Sequence, residues 1–268
     1  MKRCNGITVI LIFMLLFPFI GTAVHAENIS YTVTVVAPPE VMSVSVHPDS
    51  VMIYPCPATT QITVTATVFH SNSINQIESV EITTISPAIT GVSMPIVMTP
   101  ENEGDVQVTY TATIDLPCCT PRGGYTLEVA ATDRYGSEDT GSTEFNVEAT
   151  VAIRATDMKF GRVAPGESST ASTTVTCTGN VEIEFVDQLS PGYDNPEDND
   201  GITWSDMTSG LHTIADDNIE TSWDNSTTIA CGDSVDAEFT LSVPYGTLLG
   251  TYTGTATFTP TPVFLREV

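Results

Sequence analysis

The densest cluster of ionisable side chains lies between Asp187 and Asp224, where ten acidic residues occur without a lysine or an arginine. Carboxylates at this density repel one another unless a cation screens them. The segment 194–201 superficially resembles a calcium loop, but in EF-hand register its first ligand position falls on Pro196, which has no side-chain oxygen. We therefore predict a solvated acidic loop and no cofactor. The alternative is a looser calcium site, with Asp194, Glu197, Asp198 and Asp200 as its ligands.

Both tryptophans of the chain, Trp204 and Trp223, fall in the same acidic region, as does Tyr193. Flat aromatic rings with one polar edge could together form a platform for a carbohydrate ring. The competing interpretation is that they form a small hydrophobic core, because a loop of this length needs an anchor to the fold. We favour the anchor and keep carbohydrate binding at these three residues as the alternative.

Five cysteines follow the first 26 residues, and their number is odd. In an exported protein they are expected to form disulfides, which leaves one thiol over. We expect the spare thiol to be Cys118 or Cys119, where it could cross-link two chains. Zinc would need cysteines and histidines at short spacings, and no histidine lies near a cysteine in this sequence. The five are Cys56, Cys118, Cys119, Cys177 and Cys231.

Catalysis has little support in the sequence. No serine lies in a G-x-S-x-G turn, and His212 is the only histidine beyond residue 150. A pair of carboxylates for glycoside hydrolysis would need an apolar setting that raises the pKa of one of them, and the acidic region is polar throughout. We therefore expect a protein that is not an enzyme.

The overall charge excludes another class of function. The chain has 33 acidic and 8 basic residues, a formal net charge of −25, so it cannot neutralise a phosphate backbone and is not a nucleic-acid-binding protein. Hydrophobic residues make up 41% and charged residues only 15%. This composition is typical of a folded protein and not of a disordered polyelectrolyte.

The first 26 residues have the layout of a secretory signal peptide. Lys2 and Arg3 precede an apolar stretch over 7–20, and Val24-His25-Ala26 supplies small residues at a cleavage site. The apolar stretch is short for a membrane span, although an uncleaved anchor is the alternative. We expect a secreted, cell-surface-associated protein that is not an integral membrane protein after cleavage.

Two N-glycosylation sequons begin at Asn28 and Asn225. Both lie where we expect exposed chain, near the mature N-terminus and in the acidic region. Glycosylation at either asparagine requires an exported chain and a host that uses the sequon.

Almost every segment alternates apolar and polar residues with a period of two, which predicts strands with one buried and one solvated face. Turn residues separate the strands at short intervals, a pattern typical of antiparallel sandwiches. We predict an all-β protein with two tandem immunoglobulin-like β-sandwich domains after a cleaved signal peptide. The joint near residue 150 has no Gly/Ser/Pro spacer, so we expect a stiff tandem. The predicted strands are 41–54, 61–70, 77–85, 105–116, 124–132 and 142–149, then 151–160, 170–178, 181–187, 234–243 and 251–259.

The predicted organisation has four parts. Residues 1–26 are the signal peptide, and 27–40 are a strand-like N-terminal arm. Residues 41–149 form the first sandwich and 150–268 the second, which carries the acidic insertion 188–230.

Three motifs resemble known immunoglobulin-like modules. The F-G-x-V-x-x-G pattern of residues 160–166, followed by T-G-N at 178–180, is similar to the repeats of ASPM/SPD-2/Hydin-type sandwiches and of secreted surface proteins. Residues 244–254 resemble the E–F corner and F strand of prokaryotic surface sandwiches, and 123–133 resemble the F strand of bacterial and archaeal modules. The resemblance implies a prokaryotic, including archaeal, cell-surface protein. It departs from the usual repeat at the 188–230 insertion.

This resemblance also implies a disulfide pattern. In such sandwiches the A–B and E–F loops lie at the same end, which favours a bridge from Cys56 to Cys118 or Cys119. Cys177 ends strand B of the second sandwich and Cys231 precedes its strand E, so we predict a Cys177–Cys231 bridge. Each bridge would close a loop of more than 50 residues, worth about 4 kcal/mol in the chain-entropy account.

Together these observations predict a non-enzymatic structural or adhesive module of the cell surface. It would present the acidic loop to other surface proteins, to a second copy or to calcium. One alternative is a filament or lattice subunit that inserts the arm 28–36 into a neighbour's sheet edge. The other is a secreted carbohydrate-binding module.

Overall fold

The computed structural model describes residues 37–101, 104, 106–185, 202–221 and 228–263. The predicted signal peptide and most of the N-terminal arm lie outside these residues. Within them the secondary structure consists of strands and two single-turn 3₁₀ segments without any α-helix, so the all-β prediction is confirmed. No helix in the described part is long and apolar enough to cross a membrane. The described residues form one compact unit, and the division into two domains near residue 150 stays a prediction.

Nine strands form two sheets between residues 40 and 148. One sheet has the order β1-β3-β7-β6, and the other has the order β2-β9-β8-β4-β5. These orders match the A-B-E-D and G-F-C sheets of an immunoglobulin sandwich. The strands are β1 Glu40–His47, β2 Ser50–Met52, β3 Thr60–Phe69, β4 Ile77–Ser86, β5 Ile96–Val97, β6 Thr99–Pro100, β7 Gln107–Leu116, β8 Gly123–Asp133 and β9 Glu138–Glu148.

The period-two pattern of the sequence produces the core of this region. In β3 the apolar residues of the sequence Ile-Thr-Val-Thr-Ala-Thr-Val point inward and the threonines alternate with them. Within the five-stranded sheet, the ring of Tyr125 in β8 stacks on that of its cross-strand neighbour Phe145 in β9, with centroids 5.3 Å apart. The fully buried side chains include Ile62, Val64, Val68, Ile82, Leu116 and Leu127.

The predicted first strand, 41–54, is two strands in the structure. β1 pairs antiparallel with β3 in one sheet, and β2 pairs parallel with β9 in the other. The break falls at Pro48, which has no amide hydrogen to donate to a continuing ladder.

The second region repeats the four-stranded sheet. Its order β10-β11-β17-β16 is again A-B-E-D. The opposite layer consists of the pairs β12–β19 and β13–β18, and β14–β15 form a hairpin. Phe239 of β17 packs edge-on against Phe258, with centroids 6.3 Å apart, at the centre of its core. The strands are β10 Ile153–Ala155, β11 Ser168–Cys177, β12 Ile183–Glu184, β13 Ile202–Trp204, β14 Met207–Ser209, β15 His212–Ile214, β16 Ile219–Thr221, β17 Ser234–Ser242, β18 Ala256–Phe258 and β19 Thr261–Pro262.

The predicted insertion 188–230 is partly integral to the fold. Its described residues 202–221 contribute β13 to one layer and β16 to the edge of the four-stranded sheet. Each of these strands has three residues, which is too short to produce a recognisable period of two in the sequence. The sequence did not predict these two paired strands within the acidic insertion.

Candidate functional site: a cross-linked junction

Two disulfides join three distant parts of the chain. Cys56 bonds to Cys118, and Cys119 bonds to Cys231. Cys56 thus has one of its two expected partners, but the predicted Cys177–Cys231 bridge is wrong, as is the spare thiol at Cys118 or Cys119. The physical reason is the direction of the Cys177 side chain, which is fully buried in the second core with its thiol donating to the carbonyl of Val181 at 3.4 Å.

The four bonded sulfurs form one cluster. The Sγ atom of Cys56 lies 3.7 Å from that of Cys119 and 3.9 Å from that of Cys231, in addition to its bond to Cys118. All four sulfurs are used in disulfides, so the cluster offers no thiolate to a metal. Cys119 follows β7 in the first region, and Cys231 precedes β17 in the second. The Cys119–Cys231 disulfide therefore joins the two regions covalently.

The side chain of Asn180 makes the second connection at this junction. Its Nδ2 amide donates to the carbonyl of Thr120 at 3.1 Å and to that of Glu148 at 2.9 Å. Its Oδ1 atom accepts from the backbone amide of Thr150 at 2.6 Å. Asn180 and Thr120 are both buried. One side chain therefore ties the turn after β11 to the loop after β7 and to the chain between β9 and β10.

Thr178 and Gly179, the two residues before Asn180, also make contacts at this junction. The carbonyl of Thr178 accepts from the backbone amide of Cys56 at 2.8 Å. At Gly179 any Cβ atom would overlap the carbonyl oxygen of Thr150, so a larger residue could not occupy this position without moving the chain. The T-G-N motif was visible in the sequence as part of a resemblance. Its role as the contact between the two regions was missed.

The loop that carries Cys118 and Cys119 is held by its neighbours. The Thr120 hydroxyl donates to the carbonyl of Pro117 at 2.7 Å, and the Tyr125 hydroxyl donates to the carbonyl of Pro121 at 2.7 Å. The second contact is a tyrosine corner, a known device at the E–F turn of immunoglobulin sandwiches. These bonds fix the loop that presents both sulfurs to the second region.

A buried histidine–aspartate pair lies elsewhere in the first sandwich. The Nδ1 atom of His70 accepts from the backbone amides of Asn72 and Ser73, so the ring proton lies on Nε2 in the neutral imidazole. This Nε2 faces Oδ2 of Asp133 at 3.9 Å, and among the described residues neither atom has a hydrogen-bond partner. Both side chains are fully buried, so the pair has no access to a substrate.

Two opposing effects act on the pKa of Asp133. Burial would raise it, but the backbone amides of Ser137 and Tyr135 donate to Oδ1 at 2.8 and 2.9 Å and lower it. His70 lowers it further, and the pKa lies below that of an ordinary aspartate. The group is therefore a carboxylate at neutral pH.

The pKa of the free Cys177 thiol is shifted upward, opposite to that of Asp133. Burial raises its pKa, and the nearby Asp233 carboxylate raises it further against a lowering by the Gly179 backbone. The thiolate is the reactive form of cysteine. Cys177 is therefore an inert core residue.

Most of the other predicted site residues lie outside the described part of the chain. These are the calcium candidates Asp194, Glu197, Asp198 and Asp200, the aromatic residues Tyr193 and Trp223, and the sequons at Asn28 and Asn225. Trp204 is described, and its ring packs edge-on against Phe239 with centroids 4.9 Å apart. This ring therefore contacts the second core, as the anchoring interpretation expected.

Two loops of the second region that approach each other expose large apolar side chains. Leu211, in the turn between β14 and β15, is 99% exposed, and Leu249, in the loop before β18, is 94% exposed. A Cβ atom on Gly250 would lie 2.6 Å from the Ser209 hydroxyl, which shows how closely the two loops approach. Tyr245 is also exposed on the second loop. We call Leu211, Tyr245, Leu248 and Leu249 the apolar loop patch.

Comparisons with known proteins give distant structural similarities, of which one is described here. No protein-family model matches the chain, and no curated protein matches it. Among solved structures, the chain is similar to the CsuC–CsuE chaperone–tip adhesion subunit pre-assembly complex from archaic chaperone-usher Csu pili of Acinetobacter baumannii. The identity is 12% and the TM-score 0.35, over 81% of this chain and 99% of the other. A similarity of this size does not extend that protein's role to this chain.

Proposed function

We propose that this protein is a non-enzymatic structural and adhesive module of the cell surface, built to hold two β-sandwich regions in one fixed arrangement. The observation that carries the proposal is the junction, where the Cys119–Cys231 bond and the Asn180 side chain both join the two regions. A covalent bond and a buried hydrogen-bond network at one joint suit a part whose geometry matters.

Two features support an extracellular location. Disulfides persist in oxidising compartments and are rare in the cytosol, and the described residues of this chain form two. The first 26 residues have the pattern of a secretory signal peptide, which would deliver the chain to such a compartment. The strong negative charge keeps such a protein soluble and disfavours contact with anionic surfaces.

The adhesive part of the proposal rests on the apolar loop patch. Isolated exposed apolar residues are ordinary, but several large ones on adjoining loop tips indicate a contact surface. The protruding leucines suit a hydrophobic pocket of a protein partner, since the cores of protein interfaces are apolar. A carbohydrate would instead need stacked rings and hydrogen-bonding side chains.

Cell fractionation and binding measurements test this function. An antibody against the folded protein should label intact cells of the source organism, and surface extracts should contain a protein that binds the oxidised chain. The substitutions Leu211→Asp and Leu249→Asp together should weaken that binding at least tenfold, whereas Val97→Asp, an exposed apolar position in the first region, should not. Labelling only after cell lysis would contradict the proposed location. Equal binding by the two variants would contradict the role of the patch.

A further inference from the structure

The two disulfides are linked to each other in series by the polypeptide chain. Cys118 and Cys119 are adjacent in the chain, so their bonds are connected by a single peptide unit. A covalent path therefore runs from Cys56 to Cys118, across one peptide bond to Cys119, and on to Cys231. This path bypasses nearly all the residues between Cys56 and Cys231.

The bypass is very short compared with the chain that it replaces. The Cα atoms are 5.1 Å apart across the first bond and 5.6 Å apart across the second. With one peptide unit between them, the path spans at most about 15 Å. The backbone from Cys56 to Cys231 covers a separation of 175 residues, which is about 600 Å when fully extended.

The bypassed residues contain most of the fold. Strands β3 to β9 of the first region and β10 to β16 of the second all lie between the bonded cysteines. Among the described strands, β1 and β2 precede Cys56 and β17 to β19 follow Cys231. Tension applied between the two flanks is therefore carried by sulfur–sulfur and peptide bonds and does not pass through the intervening strands.

We propose that the linked disulfides make this protein a tether of limited extension between an attachment point before Cys56 and one after Cys231. If the strands between them unfold under tension, the chain does not lengthen through those residues. The biological use of the tether rests on the proposed structural role at the cell surface. The mechanical property itself does not depend on where the protein is found.

The pattern of the bonds matters for this property. The pairing expected from the sequence, with Cys177 bonded to Cys231, would leave the chain between the Cys118–Cys119 pair and Cys177 in the path of the tension. When it unfolds, that segment would lengthen the stretched chain by about 200 Å. The observed pairing leaves no such segment between the two bridges.

Single-molecule force spectroscopy tests the tether directly. The oxidised mature chain is held by handles at its two ends and stretched until it is fully extended, then reduced with a phosphine and stretched again. We expect reduction to lengthen the extended chain by about 600 Å. Only the stretched contour is measured, so the result does not require the reduced chain to fold.

Three variants resolve the contribution of each bond. The double substitution Cys56→Ser with Cys118→Ser should release about 200 Å before reduction, because that bond spans 62 residues. Cys119→Ser with Cys231→Ser should release about 375 Å, because that bond spans 112 residues. Cys177→Ser is the matched control and should have the extension of the unsubstituted chain.

The opposite results would overturn the proposal. An oxidised chain that already extends by the additional 600 Å has no bypass. A chain that lengthens when Cys177 is replaced has the pairing expected from the sequence. Failure of the surface-labelling experiment would remove the proposed function and would leave these extensions unchanged, so the two failures are distinguishable.

Discussion

The side-chain amide of Asn180 donates to the backbone carbonyl of Thr120, 60 residues earlier in the chain, at 3.1 Å. Thr120 directly follows Cys119, whose sulfur is bonded to Cys231 in the second region. A hydrogen bond and a covalent bond thus join the same loop to the same neighbouring region. Neither contact is local in sequence, and together they define the junction on which the proposed function depends.

Replacing Asn180 with alanine should destabilise the protein strongly. The change removes three hydrogen bonds and leaves the buried carbonyl of Thr120 without its donor. We expect the free energy of unfolding to fall by about 3 kcal/mol, since each unsatisfied buried group costs roughly 1–3 kcal/mol. Urea denaturation of the oxidised protein measures this loss. The exposed Asn146→Ala is the matched control and should change stability by less than about 0.5 kcal/mol.

Tyr252 makes a hydrogen bond similar to that of the Tyr125 corner, and the two bonds should differ in strength. The hydroxyl of Tyr125 donates to the carbonyl of Pro121 from a buried position, and that of Tyr252 donates to the carbonyl of Leu248 from a half-exposed one. Tyr125→Phe should therefore cost about 1–2 kcal/mol, whereas Tyr252→Phe should cost less than about 1 kcal/mol, since water can replace the lost partner. Denaturant titration of both variants checks the order. A larger loss at Tyr252 would contradict it.

The His70–Asp133 pair should make stability depend on pH in acid. The pKa of Asp133 is lowered in the folded protein, so its contribution is complete above the unfolded aspartate pKa of about 3.9 and is lost as the pH falls through the folded value. Asp133→Asn should lower the melting temperature at pH 7 and flatten its decrease in acid. The exposed Asp157→Asn should retain the unsubstituted profile. Identical acid profiles for the unsubstituted protein and Asp133→Asn would contradict this account.

Cys177 should be protected from alkylation in the folded protein. Its thiol is buried and its pKa is raised, so little reactive thiolate forms at pH 8. Iodoacetamide should leave the native oxidised chain unmodified at this residue and should add one label there after denaturation without reductant. Peptide mass spectrometry locates the label. Label on Cys118 or Cys119 without reduction would show that the disulfides differ from those described here.

The sequence was informative where the chain forms long strands. β3, β4, β7 and β8 have ten or eleven residues each, long enough for the period-two pattern to mark their positions and buried faces. The three-residue strands β13 to β16 carry too few alternations to be distinguished from a loop. Length explains these misses only in part, because the equally short strands β10, β12 and β18 fall within the predicted strands 151–160, 181–187 and 251–259.

The junction was less predictable, for a different reason. The disulfide prediction assumed that each bridge stays within one sandwich, and Cys231 instead faces the loop of Cys119. That placement depends on how the two regions meet, which is fixed by hydrogen bonds of Asn180 and Thr150 to residues 30 to 97 positions away. The T-G-N motif contains the key side chain, but spacing alone does not reveal partners at such distances.

The central claim is that the two regions move as one rigid body, and backbone ¹⁵N relaxation of the oxidised mature protein tests it most directly. We predict one overall rotational correlation time for residues on both sides of position 150. In the Cys119→Ser with Cys231→Ser variant, which lacks the covalent bond at the junction, the correlation times of the two regions should begin to diverge. Two clearly different correlation times in the unsubstituted oxidised protein would mean that the junction is a hinge, and would contradict the proposed role of a fixed module.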